Sequence, residues 1–389
     1  MSDHHGSALD LLSGDAQTFH HKVWASRVHV HHTDPADLVD LLSLDDVDRL
    51  LTSSALRTPA LRLAQDGAVI SPAKFTRHAT MAGTAVTGLV DGRKVLDLFE
   101  GGATVVLQGL HRYHPPLTRL VRRLELELGH PCQANAYLTP PGAQGFARHR
   151  DTHDVFVFQT HGQKLWEVVE PEPDRVVDLD GPAREVLLEP GLSMYLPTGT
   201  PHSARSQEVT SLHVTLGINR VSMRELLRSL VNETLGDERY DAPLPSGWLD
   251  DPSRLASALG GPLDSLASSL SALDPSSVAA TRADRFLSDR SPALEGGLVD
   301  RVALPDLSDA TRLERRPTAA CVLRPGEDRL TVHLGDRSLR MPARLTPVLE
   351  FVRDTPSFTV AELEPWLDAS SRLVVARRLV REGLLRIVP

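Results

Sequence analysis

Apolar residues are spaced differently in successive stretches of the chain. Up to about residue 130 the pattern is mixed. Asp37-Leu-Val-Asp-Leu-Leu-Ser43 and Asp45-Asp-Val-Asp-Arg-Leu-Leu51 repeat at helical spacing with Asp and Ser available as caps, and Thr104–Gln108 reads as a short strand. Pro116–Leu128 reads as an amphipathic helix that Gly129 ends and Pro131 stops. From residue 132 to about 220 the pattern changes to short β-like runs between Pro/Gly turns: Gln133–Leu138, Val155–Thr160, Lys164–Val169, Val176–Leu179, Glu185–Leu188, Ser193–Leu196 and Ser211–Ile218. Many short strands with turns such as Pro140-Pro-Gly and Glu189-Pro-Gly predict a sandwich or barrel.

Beyond residue 220 helices return. Ser222-x-x-Glu225 forms a capping box ahead of a helix Met223–Leu235, and Leu/Ala helices are expected over Ser253–Leu259, Leu263–Leu273 and Val278–Leu287. This stretch, 221–315, is loosely apolar, with Pro-, Gly- and Ser-rich joints between short helices, and is not expected to form a large core of its own, which favours packing against a second copy. Residues 316–389 carry strands Leu330–Leu334 and Ser338–Met341, helices near Leu345–Arg353, Thr359–Leu367 and Ser371–Glu382, and a final strand Leu384–Val388. That order matches a winged-helix module.

Composition narrows the function. In 389 residues, 41% hydrophobic and 24% charged, no window reaches the ~18–20 apolar residues of a membrane span, and Met1-Ser-Asp-His-His5 does not begin a secretory signal. Two cysteines rule out a disulfide scaffold or a Cys-rich zinc site, so a cytoplasmic location is expected. A net charge of −9 argues against a general nucleic-acid binder. The last module sets eleven arginines against nine acids over 321–389, and Arg372, Arg377, Arg378 and Arg381 read as the solvated face of its last helix, so DNA contact is not expected. Only four of the 42 basic residues are lysines, so a Lys beginning an apolar strand calls for a reason.

Most of the seventeen histidines, including His4, His5, His20, His21, His29, His31 and His32, have no framing that suggests a metal site. His149-Arg-Asp151 differs. Residues i and i+2 of an extended segment share a face, so an imidazole and a carboxylate converge there. His32-Thr-Asp34 has the same spacing, and context separates the two. His149 follows the loop Thr139–Phe146 and precedes the strand Val155-Phe-Val-Phe158, and Met194–His202 then delivers one more histidine. His149, Asp151 and His202 together would make the two-His-one-carboxylate triad of non-haem iron(II), which leaves positions open for a 2-oxo acid and O2. Lys164 opens the next strand, Lys164-Leu-Trp-Glu-Val-Val169, where its ammonium on a long stem suits capture of the oxo acid's distal carboxylate inside an apolar barrel.

The segment Ala134–Gln159, followed by Gly162-Gln-Lys-Leu-Trp166, Leu196–His202 and Ser211-Leu-His-Val-Thr215, resembles the JmjC-type ribosomal oxygenases, which are iron(II)- and 2-oxoglutarate-dependent hydroxylases of ribosomal-protein side chains. The resemblance implies a mainly β catalytic core, a double-stranded β-helix of the cupin/JmjC kind over 1–220 with its barrel at about 132–220. It also implies an α-helical dimerisation region over 221–315 and a C-terminal winged-helix domain over 316–389. It makes His149, Asp151 and His202 the iron ligands and Lys164 the partner of the 2-oxoglutarate C5 carboxylate. Asn135 and Tyr137, alternating onto one face of a strand, fall where co-substrate and substrate are lined, although a strand Tyr equally serves packing. His213 reads as a core histidine, and His153 and His161 as barrel-mouth or loop residues. Two positions depart from the family pattern. Arg150 and Arg148 stand where an aromatic and a proline are usual, and Gly217 stands where histidine-hydroxylating members often carry Ser.

The expected activity is hydroxylation of a protein or peptide side chain by a homodimer, with a ribosomal-protein His or Arg as the leading target, and demethylation as the final outcome is left open. The alternatives are tailoring of a biosynthetic peptide and a cupin-like metal or ligand sensor with a DNA-binding winged helix. The Lys164 anchor speaks against the sensor. No Gly-x-Ser-x-Gly elbow frames a hydrolytic serine.

Overall fold

The computed structural model describes residues 6–143, 147–170, 178–292 and 294–388. His4, His5, Phe146 and the first half of the strand expected over Val176–Leu179 lie outside them. The chain divides into two compact units, Met1–Arg220 and Val221–Pro389.

In chain order the strands of the first unit are β1 (His29–His32), β2 (Leu61–Gln65), β3 (Ala68–Val69), β4 (Thr76–Met81), β5 (Thr84–Val90), β6 (Thr104–Leu107), β7 (Cys132–Thr139), β8 (Asp154–His161), β9 (Lys164–Val168), β10 (Arg184–Leu188), β11 (Leu192–Leu196), β12 (His202–Ser206) and β13 (Ser211–Ile218). Eight of them form a sheet in the order β1-β11-β8-β13-β7-β6-β2-β3, and a second sheet runs β10-β9-β12. The two sheets make a β-rich core. The hairpin β4–β5 stands apart from both.

β7 shows how the sequence builds this core. Cys132, Ala134 and Ala136 turn to one side and are buried, while Gln133, Asn135 and Tyr137 turn to the other. The small side faces the helix Pro115–Leu128, which buries Leu117, Leu120, Val121 and Leu124 in the same apolar cluster. Proline opens that helix, and Gly129, at φ 70°, closes it in the left-handed conformation that glycine adopts without steric cost. β8 is buried on both faces along Val155-Phe-Val-Phe158, so it reads as a continuous apolar run.

The second unit contains two kinds of structure. The helices Met223–Leu235, Pro252–Ser271 and Pro275–Phe286 contain no buried residue at all. Residues from Leu304 onward, by contrast, share an apolar cluster centred on Val332, Leu349, Phe358 and Leu379. Two small sheets and the helices Thr346–Asp354 and Ala369–Arg381 surround that cluster. A buried Arg316–Asp300 pair ties the helix Gly297–Ala303 to it, and Asp300 also accepts from the amide of Ile387 at 2.9 Å.

Several elements differ from the sequence reading. One helix, Pro252–Ser271, replaces the two expected, with Pro262 inside it. Proline removes only the bond to the Ala258 carbonyl, and Ala258 is exposed, so water satisfies that group. The helix expected over Thr359–Leu367 is a short 3-10 turn, Val360–Leu363, preceded by a strand Ser357–Thr359, and Pro365 stops its extension. The first helix of the N-terminal pair is Pro35–Val39, pulled forward by the Asp34 cap.

Candidate active site

His149 and His202 face each other across an antiparallel bridge: each backbone N–H donates to the other's carbonyl, at 3.0 and 2.9 Å. That bridge sets their rings 4.4 Å apart between centroids. The Nδ1 of His149 lies 2.9 Å from the Ala147 carbonyl, and the Nδ1 of His202 lies 3.0 Å from that of Thr200. A carbonyl only accepts, so both Nδ1 atoms carry the proton and both Nε2 atoms present lone pairs. Those Nε2 atoms lie 3.9 and 3.7 Å from the Asp151 carboxylate. Burial and the neighbouring His149 lower the pKa of His202, which keeps that ring neutral.

Three lone-pair donors therefore converge, with one ligand atom of each residue within 4.8 Å of the others and no proton between them. Such a cluster is balanced by a cation. It is the only such group of His, Cys, Asp and Glu among the described residues. Two neutral imidazoles oriented by backbone carbonyls and one carboxylate fit a divalent transition metal with open positions.

The cluster lies on the wall of a cavity of about 770 Å³ between the two sheets, and Asn135, Tyr137, Lys164 and His213 share that wall. Lys164 is 4% exposed, and its Nζ donates to Thr139 Oγ1 at 3.0 Å, with the Thr104 hydroxyl 3.3 Å behind. Burial, with no anion beside it among the described residues, pulls the Lys164 pKa down to about 7. His213 stacks on Tyr137 with ring centroids 4.9 Å apart and meets Trp166 edge-on at 5.4 Å. Burial, then the Lys164 charge, keep His213 neutral, and its Nδ1 has no hydrogen-bond partner among the described residues. His213 is thus a cavity residue rather than part of the core. Asn135 turns its Oδ1 to the Gly109 amide at 3.0 Å, so one of its groups is spent on the loop after β6.

The departures from the family pattern also have positions. Arg150 is exposed and away from the cavity wall, and Arg148 reaches Glu167 at 3.0 Å on the strand of Lys164. A side chain at Gly217 would begin 2.7 Å from the ring of His153, which also lines the cavity, so that imidazole holds the ground a residue 217 side chain would take. His161 is exposed at the end of β8 and is not on the wall.

Arg62, His111 and Trp166, which line the cavity, and Thr139, to which the Lys164 ammonium donates, were missed by the sequence reading. Arg62 comes from β2, paired through Val106 to Tyr137, so it sits on the same cross-strand row. Burial and the nearby Arg112 hold the His111 pKa down to about 4. Thr139 was legible, since alternation from Asn135 and Tyr137 carries the inward face to it.

Residues 111–226 match the family model of the JmjC domain. Ribosomal oxygenase 1 of Rattus norvegicus is 36% identical over 132 residues, which cover 31% of this chain and 22% of that protein. Ribosomal oxygenase 2 of Bos taurus is 29% identical over 257 residues, covering 60% of this chain and 55% of its own. Among solved structures, YcfD, a ribosomal oxygenase from Escherichia coli in complex with cobalt and 2-oxoglutarate, aligns with a TM-score of 0.52 over 97% of this chain and 99% of that one. Its identity of 18% makes that a likeness of fold. Together with the His-Asp-His cluster, these likenesses define a JmjC-type barrel. Residues 111–226 carry a JmjC domain, and the chain is similar to the JmjC ribosomal oxygenases. It spans only 22% and 55% of the length of the two curated relatives.

Proposed function

We propose that this protein is an iron(II)- and 2-oxoglutarate-dependent oxygenase that hydroxylates an amino-acid side chain of a protein or peptide, with a ribosomal-protein His or Arg as the leading target. The observation that carries this reading is the pairing, in one cavity, of the converging His149, Asp151 and His202 atoms with a buried Lys164. The relatives' name, ribosomal oxygenase, supports the substrate class.

His149, Asp151 and His202 would hold the iron, and bound iron supplies, with 2-oxoglutarate and O2, the oxidising power to hydroxylate an unactivated C–H bond. The remaining work falls to the chain's own groups. Lys164 and the Thr139 hydroxyl take the distal carboxylate of the oxo acid, and that anion restores the charge that burial had made costly for Lys164. His213 and Trp166, whose Nδ1 and Nε1 respectively have no hydrogen-bond partner among the described residues, offer further polar contacts on the cavity wall. Tyr137, half-buried and stacked on His213, keeps its proton because desolvation raises its pKa, so it donates rather than repels an anion. The ring of His153, beside Gly217, faces the substrate side in place of a hydroxyl there.

We infer further that the region 221–315 joins two copies through the exposed apolar side chains of its helices, among them Met223, Leu227 and Leu263. The last module we read as a winged helix that serves structure or docking rather than DNA. Its arginines are engaged within the unit, Arg372 with Asp309, Arg377 with the Leu307 carbonyl and Arg378 with Glu382. No described helix is long and apolar enough to cross a membrane.

The test is incubation of purified protein, iron(II) and 2-oxoglutarate with ribosomal proteins from cells lacking the gene, followed by peptide mapping. A single added oxygen on one residue, absent with the Asp151→Ala variant, is the expected result. Turnover of 2-oxoglutarate with no modified residue in the ribosomal fraction would redirect the substrate search to other peptides.

A further inference from the structure

Asp154, three positions after Asp151, is not among the converging ligand atoms, yet it is fully buried at the start of β8. Its carboxylate is saturated. Oδ1 accepts from the Thr198 amide at 2.8 Å and from the Thr198 hydroxyl, with the Arg220 Nε 3.1 Å away. Oδ2 accepts from the Tyr195 hydroxyl, which itself accepts from the Ala25 amide at 3.0 Å. A carboxylate with so many donors is an anchor, and what it anchors is the turn Pro197–Thr200.

That turn lies between the two ligand-bearing segments. The residue after Thr198, Gly199, donates its amide to the Asp151 carbonyl at 3.0 Å, with its backbone at φ +82°. The next residue, Thr200, presents the carbonyl that orients the His202 ring at 3.0 Å. Asp154 thus grips the turn at Thr198, and the following two residues hold Asp151 and His202. We propose that Asp154, acting through Thr198, is a positioning residue that sets the separation of Asp151 from His202 and with it the metal affinity of the site. The inference rests on the metal reading of the triad.

The substitutions Asp154→Asn and Thr198→Val test it, the second keeping the backbone bond and removing only the hydroxyl. Anaerobic titration with cobalt(II), read by its visible d–d absorption, is run beside the thermal midpoint of the metal-free proteins. Partners that orient metal ligands typically alter affinity ~10–100-fold, the loss expected for Asp154→Asn, with a smaller one for Thr198→Val at an unchanged metal-free midpoint. Wild-type cobalt affinity in both variants, whatever their midpoints, overturns the proposal and leaves Asp154 a purely structural anchor. If Asp154→Asn does not fold, Thr198→Val decides alone. A His202→Ala control separates the two readings. If the wild type binds no cobalt, or His202→Ala binds it equally well, the triad reading itself fails and this inference falls with it.

Discussion

The barrel and the three helices of 223–286 are made from similar amounts of apolar sequence and use it in opposite ways. In the barrel, β8 buries Val155, Phe156, Val157 and Phe158, and Phe156 packs against Phe19 and Tyr195 with ring centroids 5.3 and 5.1 Å apart. In the helices, no residue is buried, and Met223, Leu227 and Leu263 are more than half exposed at 69%, 54% and 58%. The barrel's stability is internal, so it can bear the cost of burying Lys164. The helices leave their apolar side chains uncovered within the unit, which is the physical ground for proposing that they pack on a second copy.

His202→Ala removes one of three converging donors, and metal content after anaerobic loading, measured by elemental analysis, should fall to background while the fold remains. Phe156→Ala opens a hole in the barrel and is expected to cost about 3–5 kcal/mol in denaturant unfolding. Leu227→Ala, measured on monomer in dilute solution, should stay within roughly 0.5 kcal/mol. A comparable loss at both positions would erase the contrast between the two regions.

Lys164→Met should act in opposite directions on function and stability. Burial depresses the Lys164 pKa from 10.5 to about 7, so the unfolded chain binds more protons than the folded one between those values. Stability attributable to this group therefore rises as pH increases through 7, and the penalty is fully present below it. Removing the amine should stabilise the metal-free barrel at neutral pH, on the order of a few kcal/mol, while 2-oxoglutarate binding is lost. Stability unchanged and affinity kept would show that Lys164 neither suffers the burial penalty nor holds the oxo acid.

The same group sets a pH dependence. The carboxylate needs the ammonium form, which dominates below pH 7 in the free protein, so 2-oxoglutarate affinity followed by calorimetry should weaken by up to about tenfold per pH unit above it. A flat profile from pH 6 to 9 contradicts that assignment. The mildest effect concerns oligomeric state. Light scattering should return twice the 42.5 kDa chain mass for the wild type and the single mass for Leu227→Glu, with barrel turnover unchanged.

What could be read from the sequence follows the same divide. The strands β7, β8, β9, β11 and β13 were legible because their alternating or continuous apolar runs are what two-sided burial demands. β12 was not, because His202-Ser-Ala-Arg-Ser206 has no β-branched or large apolar residue and owes its extension to pairing with β9. His149, Asp151 and His202 were readable as a set of ligand types, and the structure brings them together. Arg62 and His111 were invisible because nothing local tells which residues of the N-terminal segments face the cavity.

The most direct test of the central claim is anaerobic addition of iron(II) and then 2-oxoglutarate to the purified protein, following the visible charge-transfer band of the chelate. The account predicts a band that is absent in His202→Ala and present only at far higher 2-oxoglutarate in Lys164→Met. A fully iron-loaded protein that gives no band would contradict it, leaving the triad a metal site without the oxygenase co-substrate.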